Sequence, residues 1–184
     1  ILQARLQPGT SAVVIGLGGL GGMALQILRA TAATRVIAVD VDETALERAR
    51  PWADHLVQPD RTDAAAAILA QTGHRGAEVV FDFVGIDQTL ALAADVVAPF
   101  GAIQVSGMGS GTFTLQASAA SRIPRGASIT PRLFSGTFPD LMEVMELAAR
   151  GVLRPDLIRF PFDQAAGALD ALAAGEIHGR AVLE

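Results

Sequence analysis

The glycine-rich segment at residues 12–40 constrains the fold of this chain more than any other stretch. It reads AVVIGLGGLGGMALQILRATAATRVIAVD, in which two short apolar runs enclose the pattern Gly16-x-Gly18-x-x-Gly21 and a helical repeat. The first run, residues 12–15, is too short for a helix and has the length of a buried parallel strand. The segment therefore predicts a strand, a tight glycine turn, a helix and a second strand that ends at Asp40.

Each part of this pattern suits the binding of a dinucleotide. Gly16 allows a sharp turn after the strand, Gly18 lets a pyrophosphate approach the backbone, and Gly21 allows the helix to pack closely on the strand. The N-terminus of the helix offers free N–H groups and partial positive charge to phosphates. A carboxylate at Asp40 accepts hydrogen bonds from the ribose hydroxyls of NAD and repels the 2′-phosphate of NADP.

A membrane-spanning helix is the alternative interpretation of this region. Residues 6–28 carry one charge-free apolar stretch, and Gly18-x-x-x-Gly22 is a motif of helix dimers in membranes. Pro8-Gly9 and the density of glycines suit a turn better than a spanning helix. We therefore predict no membrane association.

The rest of the chain continues the alternation of strands and helices. Further strands are predicted at residues 36–39, 55–58, 78–83, 102–105 and 127–130, with helices at 43–50, 64–71, 87–97 and from Thr137 to Arg150. Within the first helix the repeat puts four apolar residues on one face: Leu20, Ala24, Ile27 and Leu28. Six strands alternating with helices predict an α/β fold, a doubly wound six-stranded parallel (Rossmann) sheet of order 3-2-1-4-5-6.

The end of the chain breaks this alternation. Residues 152–184 read as a short strand, a helix capped by Asp163 and a final strand, a unit too small to fold alone. We therefore expect a dinucleotide-binding domain at residues 1–151 and a C-terminal strand–helix–strand segment at 152–184 that packs on a catalytic domain missing from the chain. The sixth strand would leave an open sheet edge, which predicts a homo-oligomer formed through that edge.

Composition excludes several classes of function. The net charge is −5 without a basic cluster, which argues against nucleic acid as a partner. The chain has no cysteine, hence no disulfide, no thiolate zinc site and no cysteine nucleophile. Its three histidines lack the spacing of metal ligands. We predict no catalytic or metal-binding residue in the chain itself, and a cytoplasmic location.

Four blocks of sequence resemble the medium-chain dehydrogenase/reductase superfamily, in particular its zinc-dependent, NAD-dependent alcohol dehydrogenases. They are PGTSAVVIGLGGLGGMALQILRA, RVIAVDVDETALERAR, VVFDFVG and the closing RFPFDQAAGALDALAAGEIHGRAVL. The resemblance implies NAD as cofactor, with zinc held only in the missing catalytic domain. It also implies that the parent protein is an oxidoreductase that transfers hydride between NAD and an alcohol, ketone or aldehyde, and that the isolated chain is inactive.

The resemblance also implies the residues that contact the cofactor. The pyrophosphate would be wrapped by Gly16, Leu17, Gly18, Gly19, Leu20 and Gly21 and reached by Arg180. The adenosine would be contacted by Asp40, Val41, Phe83 and Val84. The nicotinamide would be contacted by Ser106, Gly107 and Met108, with Phe134 nearby. The apolar members of these sets could instead be core residues.

Two positions depart from the family pattern. Ala45 stands where the family often has a basic residue that grips the ribose, and Pro51-Trp52 replaces the usual glycine before the third strand. Two other functions stay open: a stand-alone NAD-binding sensor, and a zinc-free quinone or enoyl reductase of the same superfamily. Asp40 argues against the reductase, because such enzymes commonly use NADPH, and the closing block argues against a bare sensor.

Overall fold

The computed structural model describes residues 4, 6–32, 34–116, 118, 121–131 and 136–184. Strands and helices alternate along most of this part. The strands are β1 (Ser11–Ile15), β2 (Arg35–Val39), β3 (His55–Val57), β4 (Ala77–Asp82), β5 (Val97–Val105), β6 (Ser128–Thr130), β7 (Leu157–Phe160) and β8 (Arg180–Leu183). The α-helices are α1 (Gly19–Thr31), α2 (Glu43–Ala49), α3 (Ala64–Gln71), α4 (Asp87–Val96), α5 (Phe138–Ala149) and α6 (Ala165–Ala173).

The first six strands form one parallel sheet of order β3-β2-β1-β4-β5-β6. This order confirms the predicted doubly wound fold. It reverses between β1 and β4, so the chain crosses to one side of β1 for its first half and to the other side for its second half. Ligands of such sheets bind at this reversal, outside the carboxyl ends of the strands.

The core lies in two layers, one on each face of the sheet. On one face, Ala12 and Val14 of β1 pack with Leu25 and Leu28 of α1 and with Leu46 of α2. On the other face the neighbouring β1 residues pack against α3 and α4, in a cluster that includes Val13, Ile15, Ile68, Leu90 and Ala93. Successive strand residues thus serve opposite layers, and the central strands are mostly apolar because both faces are covered.

Local capping explains where several helices begin. The side chains of Asp42 and Asp63 accept hydrogen bonds from the N–H groups of Thr44 (2.8 Å) and Ala66 (3.0 Å). At α5, Thr137 and Asp140 form a reciprocal capping box with a proline in the first turn. These starts agree with the sequence prediction.

Strand β5 is longer than the predicted residues 102–105, because it starts at Val97 and runs through Pro99 and Gly101, residue types that interrupt regular strands. Val97 pairs with Ala77, and the regular register resumes only where Ala102 pairs with Val79. The intervening residues form an irregularity in which Phe100 has a φ of +61°. Pro99 lies within this irregularity, between the paired residues Val97 and Ala102, where strands tolerate a proline.

Two helices differ in detail from the sequence pattern. Of the four apolar residues predicted on one face of α1, Ala24 and Leu28 are buried but Leu20, in the first turn, is 54% exposed. The C-terminal helix is not capped by Asp163, because that residue lies in a short 3-10 helix (Phe162–Gln164) and Gln164 precedes α6. A 3-10 turn commonly opens an α-helix and shifts its first regular turn.

The last two strands form a separate parallel pair joined through α6. Most residues of the C-terminal segment are exposed, but Leu153 near its start is 4% exposed. The predicted domain boundary after residue 151 stays a prediction. Among the residues that the structure describes, no helix combines the length and the apolar character that crossing a membrane requires.

Candidate functional site

The carboxyl ends of four strands lie side by side along one edge of the sheet. Ile15 of β1 pairs with Val39 of β2 and with Asp82 of β4, and Asp82 pairs with Val105 of β5. The residues that follow these positions therefore emerge side by side: Gly16, Asp40, Phe83 and Ser106. All four were predicted from sequence as site residues, and the parallel register brings them together.

The glycine turn between β1 and α1 requires glycine at two of its positions. Gly16 has a φ of +85°, and a Cβ there would lie 2.5 Å from Val84 Cγ2. A Cβ at Gly21 would overlap the carbonyl oxygen of Gly16. Gly21 is therefore the point where α1 approaches the end of β1 most closely, as the motif predicted.

The start of α1 is open and carries no negative charge. Gly18 is the N-cap residue, with no side-chain cap, and the first turn of α1 contains no acidic residue. A Cβ at Gly18 would meet no atom within 4 Å. An open helix N-terminus of this kind attracts anions through its N–H groups and its dipole.

Asp40 lies beside this helix start and is bonded to the glycine turn. The N–H of Leu17 donates to Asp40 Oδ2 (2.6 Å), and the N–H of Asp42 donates to Oδ1 (2.9 Å). Leu17 itself is 4% exposed, so its side chain belongs to the core while its backbone faces the carboxylate. The half-buried carboxylate thus fixes the turn and sets a negative charge at the end of β2.

Three predicted site residues expose apolar side chains around this edge. Leu20 is 54%, Val41 58% and Met108 80% exposed. Large apolar side chains in such positions are available to contact a bound molecule. The prediction for Phe134 lies outside the described residues.

The loop after β4 is held by a buried carboxylate. Asp82 is fully buried, and its Oδ1 accepts hydrogen bonds from the N–H groups of Val84 (2.8 Å) and Gly85 (2.9 Å). Its Oδ2 accepts a hydrogen bond from the hydroxyl of Thr89 (2.8 Å). The Phe83 ring stacks on Phe81 with centroids 6.5 Å apart and is half-buried, so it belongs in part to the core.

The loop after β5 is tied to the same residue. The N–H groups of Ser106 and Gly107 both donate to the carbonyl oxygen of Asp82, at 2.8 and 3.0 Å. A Cβ at Gly107 would overlap the backbone of Val84, so the two loops lie in direct contact. Asp82 therefore organises both loops, a role that the sequence analysis missed. Its signal was an acid at the end of a run of three apolar residues, Val79–Phe81, in the strand.

The C-terminal segment reaches the glycine turn through Arg180. A Cβ at Gly19 would lie 2.6 Å from Arg180 Cδ and 2.9 Å from the carbonyl oxygen of Gly179. Arg180 is exposed, and its guanidinium lies beside the open start of α1. The structure thus brings this predicted residue to the rest of the set, although it is distant in sequence.

A cavity of about 240 Å³ lies under this contact, between α1, α2 and the start of the C-terminal segment. Its walls include Ala45, Arg48, Trp52, Arg154, Asp156 and Arg180. Ala45 thus lies on this wall without a charge, and Arg48 stands one turn further along α2.

The residues that the structure describes contain no group of three or more His, Cys, Asp or Glu side chains able to hold a metal ion. His178 lies 3.8 Å from the carboxylate of Asp42, measured from Nδ1 to Oδ2. This pair is exposed and lies beside the adenosine side of the predicted site.

Comparison with known proteins identifies relatives over nearly the whole chain. The sequence profile of the family described as zinc-binding dehydrogenase matches residues 19–150. An NAD-dependent alcohol dehydrogenase of Sulfolobus acidocaldarius is 32% identical over 98% of this chain and 52% of its own length. Another, of Sulfurisphaera tokodaii, is 31% identical over 100% of this chain and 53% of its own length. The chain spans about half the length of these curated relatives.

Solved structures show the same likeness. The alcohol dehydrogenase of Aeropyrum pernix superposes with a TM-score of 0.86 at 32% identity, over 99% of this chain and 52% of that one. A quinone oxidoreductase of Pseudomonas syringae superposes with a TM-score of 0.78 over 97% of this chain and 57% of that one, at 21% identity. The second likeness concerns the fold alone.

Proposed function

This chain belongs to the zinc-binding dehydrogenase family, and we propose that it binds NAD(H) as the cofactor-binding half of an NAD-dependent alcohol dehydrogenase. The observation that carries the proposal is the convergence of an open glycine turn and the Asp40 carboxylate at the reversal of the sheet. That position is where doubly wound sheets bind dinucleotides. The two dehydrogenase relatives that match nearly the whole chain support the same function.

The proposed roles follow the order of the strand ends. The open start of α1 at Gly18 and Gly19, with Arg180 beside it, binds the pyrophosphate. Asp40 binds the adenosine ribose, with Val41 and the loop at Phe83 and Val84 on the adenine side. The loop at Ser106, Gly107 and Met108 contacts the nicotinamide, and the N–H groups of Ser106 and Gly107 hold it to the backbone carbonyl oxygen of Asp82.

Bound NAD would supply the hydride acceptor, and the chain's own residues would orient it. The zinc that the family description implies has no fitting set of ligands among the described residues, so no step on this chain is assigned to it. We propose that, in a protein of the relatives' length, the half that this sequence does not match holds zinc and the alcohol or ketone. A cytoplasmic location stays an expectation of the sequence analysis.

The charge of Asp40 predicts a preference for NADH over NADPH. A 2′-phosphate at this site would meet the carboxylate at close range in a partly dry environment. We expect a preference of about 1–3 kcal/mol, which corresponds to a difference in affinity of about 5- to 150-fold. Titration calorimetry of the chain with NADH and with NADPH measures the preference directly.

Replacement of Asp40 by asparagine separates its charge from its contact with the glycine turn. Asp40→Asn retains an oxygen for the Leu17 N–H and removes the charge, so discrimination against NADPH should shrink. Asp60→Asn is the matched control, because it removes one negative charge from an exposed loop position. Equal affinities of the unsubstituted chain for the two cofactors, or an undiminished preference in Asp40→Asn, would contradict the assignment.

A further inference from the structure

We propose that Gln26 is a positioning residue, which holds the start of the C-terminal segment so that Arg180 stays beside the open start of α1. The inference rests on the proposed function, because it concerns how the same chain grips a pyrophosphate. It assigns a role to a helix residue that the sequence analysis passed over and that lies on the wall of the cavity.

Gln26 binds the backbone of Arg154 with both halves of its amide. The side-chain Nε2 donates to the Arg154 carbonyl oxygen (3.2 Å), and the Arg154 N–H donates to Gln26 Oε1 (2.7 Å). Gln26 is 8% exposed although it lies between apolar residues of α1. A buried amide that satisfies both backbone groups of one residue imitates a strand partner and fixes that residue in place.

The fixed residue lies at the end of a short, stiff connection to Arg180. Pro155 restricts the backbone between Arg154 and Asp156. The carbonyl oxygen of Asp156 then accepts the N–H of Arg180 (2.8 Å). Gly179, with a φ of +120°, lies so close to Asp156 that a Cβ would overlap its carbonyl oxygen. Gln26 thus fixes Arg154, and Asp156 fixes the backbone from which Arg180 extends.

A second contact joins Asp156 to α2. Arg48 Nε lies 3.8 Å from Asp156 Oδ2, and the two side chains are 31% and 64% exposed. This is a loose ion pair, which contributes little on its own. The two neutral hydrogen bonds of Gln26 are the buried connection between α1 and this segment, and Leu153 beside them is 4% exposed.

Positioning matters because an exposed arginine loses rotamer freedom when it binds a ligand. A backbone already fixed at Arg180 leaves less to be ordered on binding, so more of the charge–charge attraction appears as affinity. The contribution of Arg180 should therefore depend on Gln26. This dependence should appear in the affinity for ligands that contain a pyrophosphate, and not in the affinity for adenosine, which lacks one.

The test is a double-substitution cycle measured by titration with NADH. Gln26→Leu and Arg180→Ala should each weaken NADH binding by about tenfold, the size of one lost hydrogen bond to a charged group. The double variant should be no weaker than Arg180→Ala alone, because either change removes the same contact. Both single variants should also flatten the decline of NADH affinity with salt, and both should leave adenosine affinity unchanged.

Gln88→Leu is the matched control, since it makes the same replacement at an exposed position of α4. Circular dichroism and thermal unfolding identify any variant that fails to fold, and Gln26→Met, a neutral side chain of similar length that makes neither hydrogen bond to Arg154, then replaces Gln26→Leu in the cycle. Losses that add in the double variant, or a Gln26 change that weakens adenosine equally, would overturn the inference. Failure of the unsubstituted chain to bind NADH would instead overturn the proposed function.

Discussion

A methyl group added at Gly18 would meet open space, whereas one at Gly21 would overlap the Gly16 carbonyl oxygen. Gly22, in the first turns of α1, would bring its added methyl only to ordinary contact with Leu17 O, at 3.7 Å. These three positions in and directly after the glycine motif therefore separate folding from binding. Gly21 serves packing, Gly18 leaves room for a ligand, and Gly22 does neither.

Alanine at each position should give a different result. Gly21→Ala should lower the free energy of unfolding by more than about 2 kcal/mol through overpacking. Gly18→Ala should cost less than about 1 kcal/mol as an N-cap change and yet weaken NADH binding. Gly22→Ala should gain about 0.5–1 kcal/mol from helix propensity and leave NADH affinity unchanged. Urea unfolding and calorimetric titration measure both quantities, and equal NADH affinity in Gly18→Ala and Gly22→Ala would contradict the proposed pyrophosphate site.

At the residue scale, the spacing of the sequence motif predicted which residues lie at the strand ends. It did not predict the hydrogen bonds that hold the neighbouring loops in place. The glycine pattern and Asp40 follow a periodicity that sequence displays directly. The Asp82 carboxylate holds N–H groups of the loop that directly follows it, and Gln26 binds the backbone of Arg154, which is distant in the chain. Such partners are created by the fold, so only an unexpected polar residue in an apolar run announces them.

At the scale of elements, the strand order could be predicted and the interior of β5 could not. Right-handed crossovers and one strand per apolar run leave few topologies for six strands. Pro99 and Gly101 are breakers in a regular strand, but β4 and β5 pair on both sides of an irregularity that accommodates them. Tertiary pairing thus overrode the local signal.

Asp54 connects two elements and makes stability depend on pH. It accepts hydrogen bonds from Val36 N–H at the start of β2 (2.8 Å) and from Arg29 of α1 (2.9 Å). Burial alone would raise the pKa of Asp54, but the hydrogen bonds and charge of Arg29 and the Val36 N–H outweigh it and lower the pKa below the ordinary 3.8. A lowered folded-state pKa means that the stabilisation is present above pH 4 and is lost as pH falls through the folded pKa.

Asp54→Asn should therefore destabilise the chain by about 1 kcal/mol near neutral pH, since the carboxylate is partly screened by solvent. Below pH 4 the difference between variant and unsubstituted chain should narrow. Urea unfolding at pH 7 and at pH 3 measures both effects, with Asp60→Asn as an exposed control. A gap that stays constant with pH would contradict the assigned ion pair.

At the scale of the whole molecule, β6 ends the sheet and pairs only with β5 among the described strands. The helix that follows, α5, buries none of its residues, and Phe138, Leu141 and Met145 are more than half exposed. Open strand edges with apolar neighbours favour association. Self-association through this edge stays a prediction. Light scattering at micromolar concentration should give twice the monomer mass, and a mass of 19.0 kDa would contradict it.

The most direct test of the central claim is amide NMR shift mapping of the chain titrated with NADH. We expect saturable shifts in the loops after the four strand ends, namely at Gly18, Asp40, Val84 and Gly107, together with Arg180. Residues near the amino ends of the strands, such as His74 and Gly101, should stay unperturbed. Shifts confined to the amino ends of the strands, or no shifts at millimolar NADH, would contradict the claim that the carboxyl ends of the strands bind the dinucleotide.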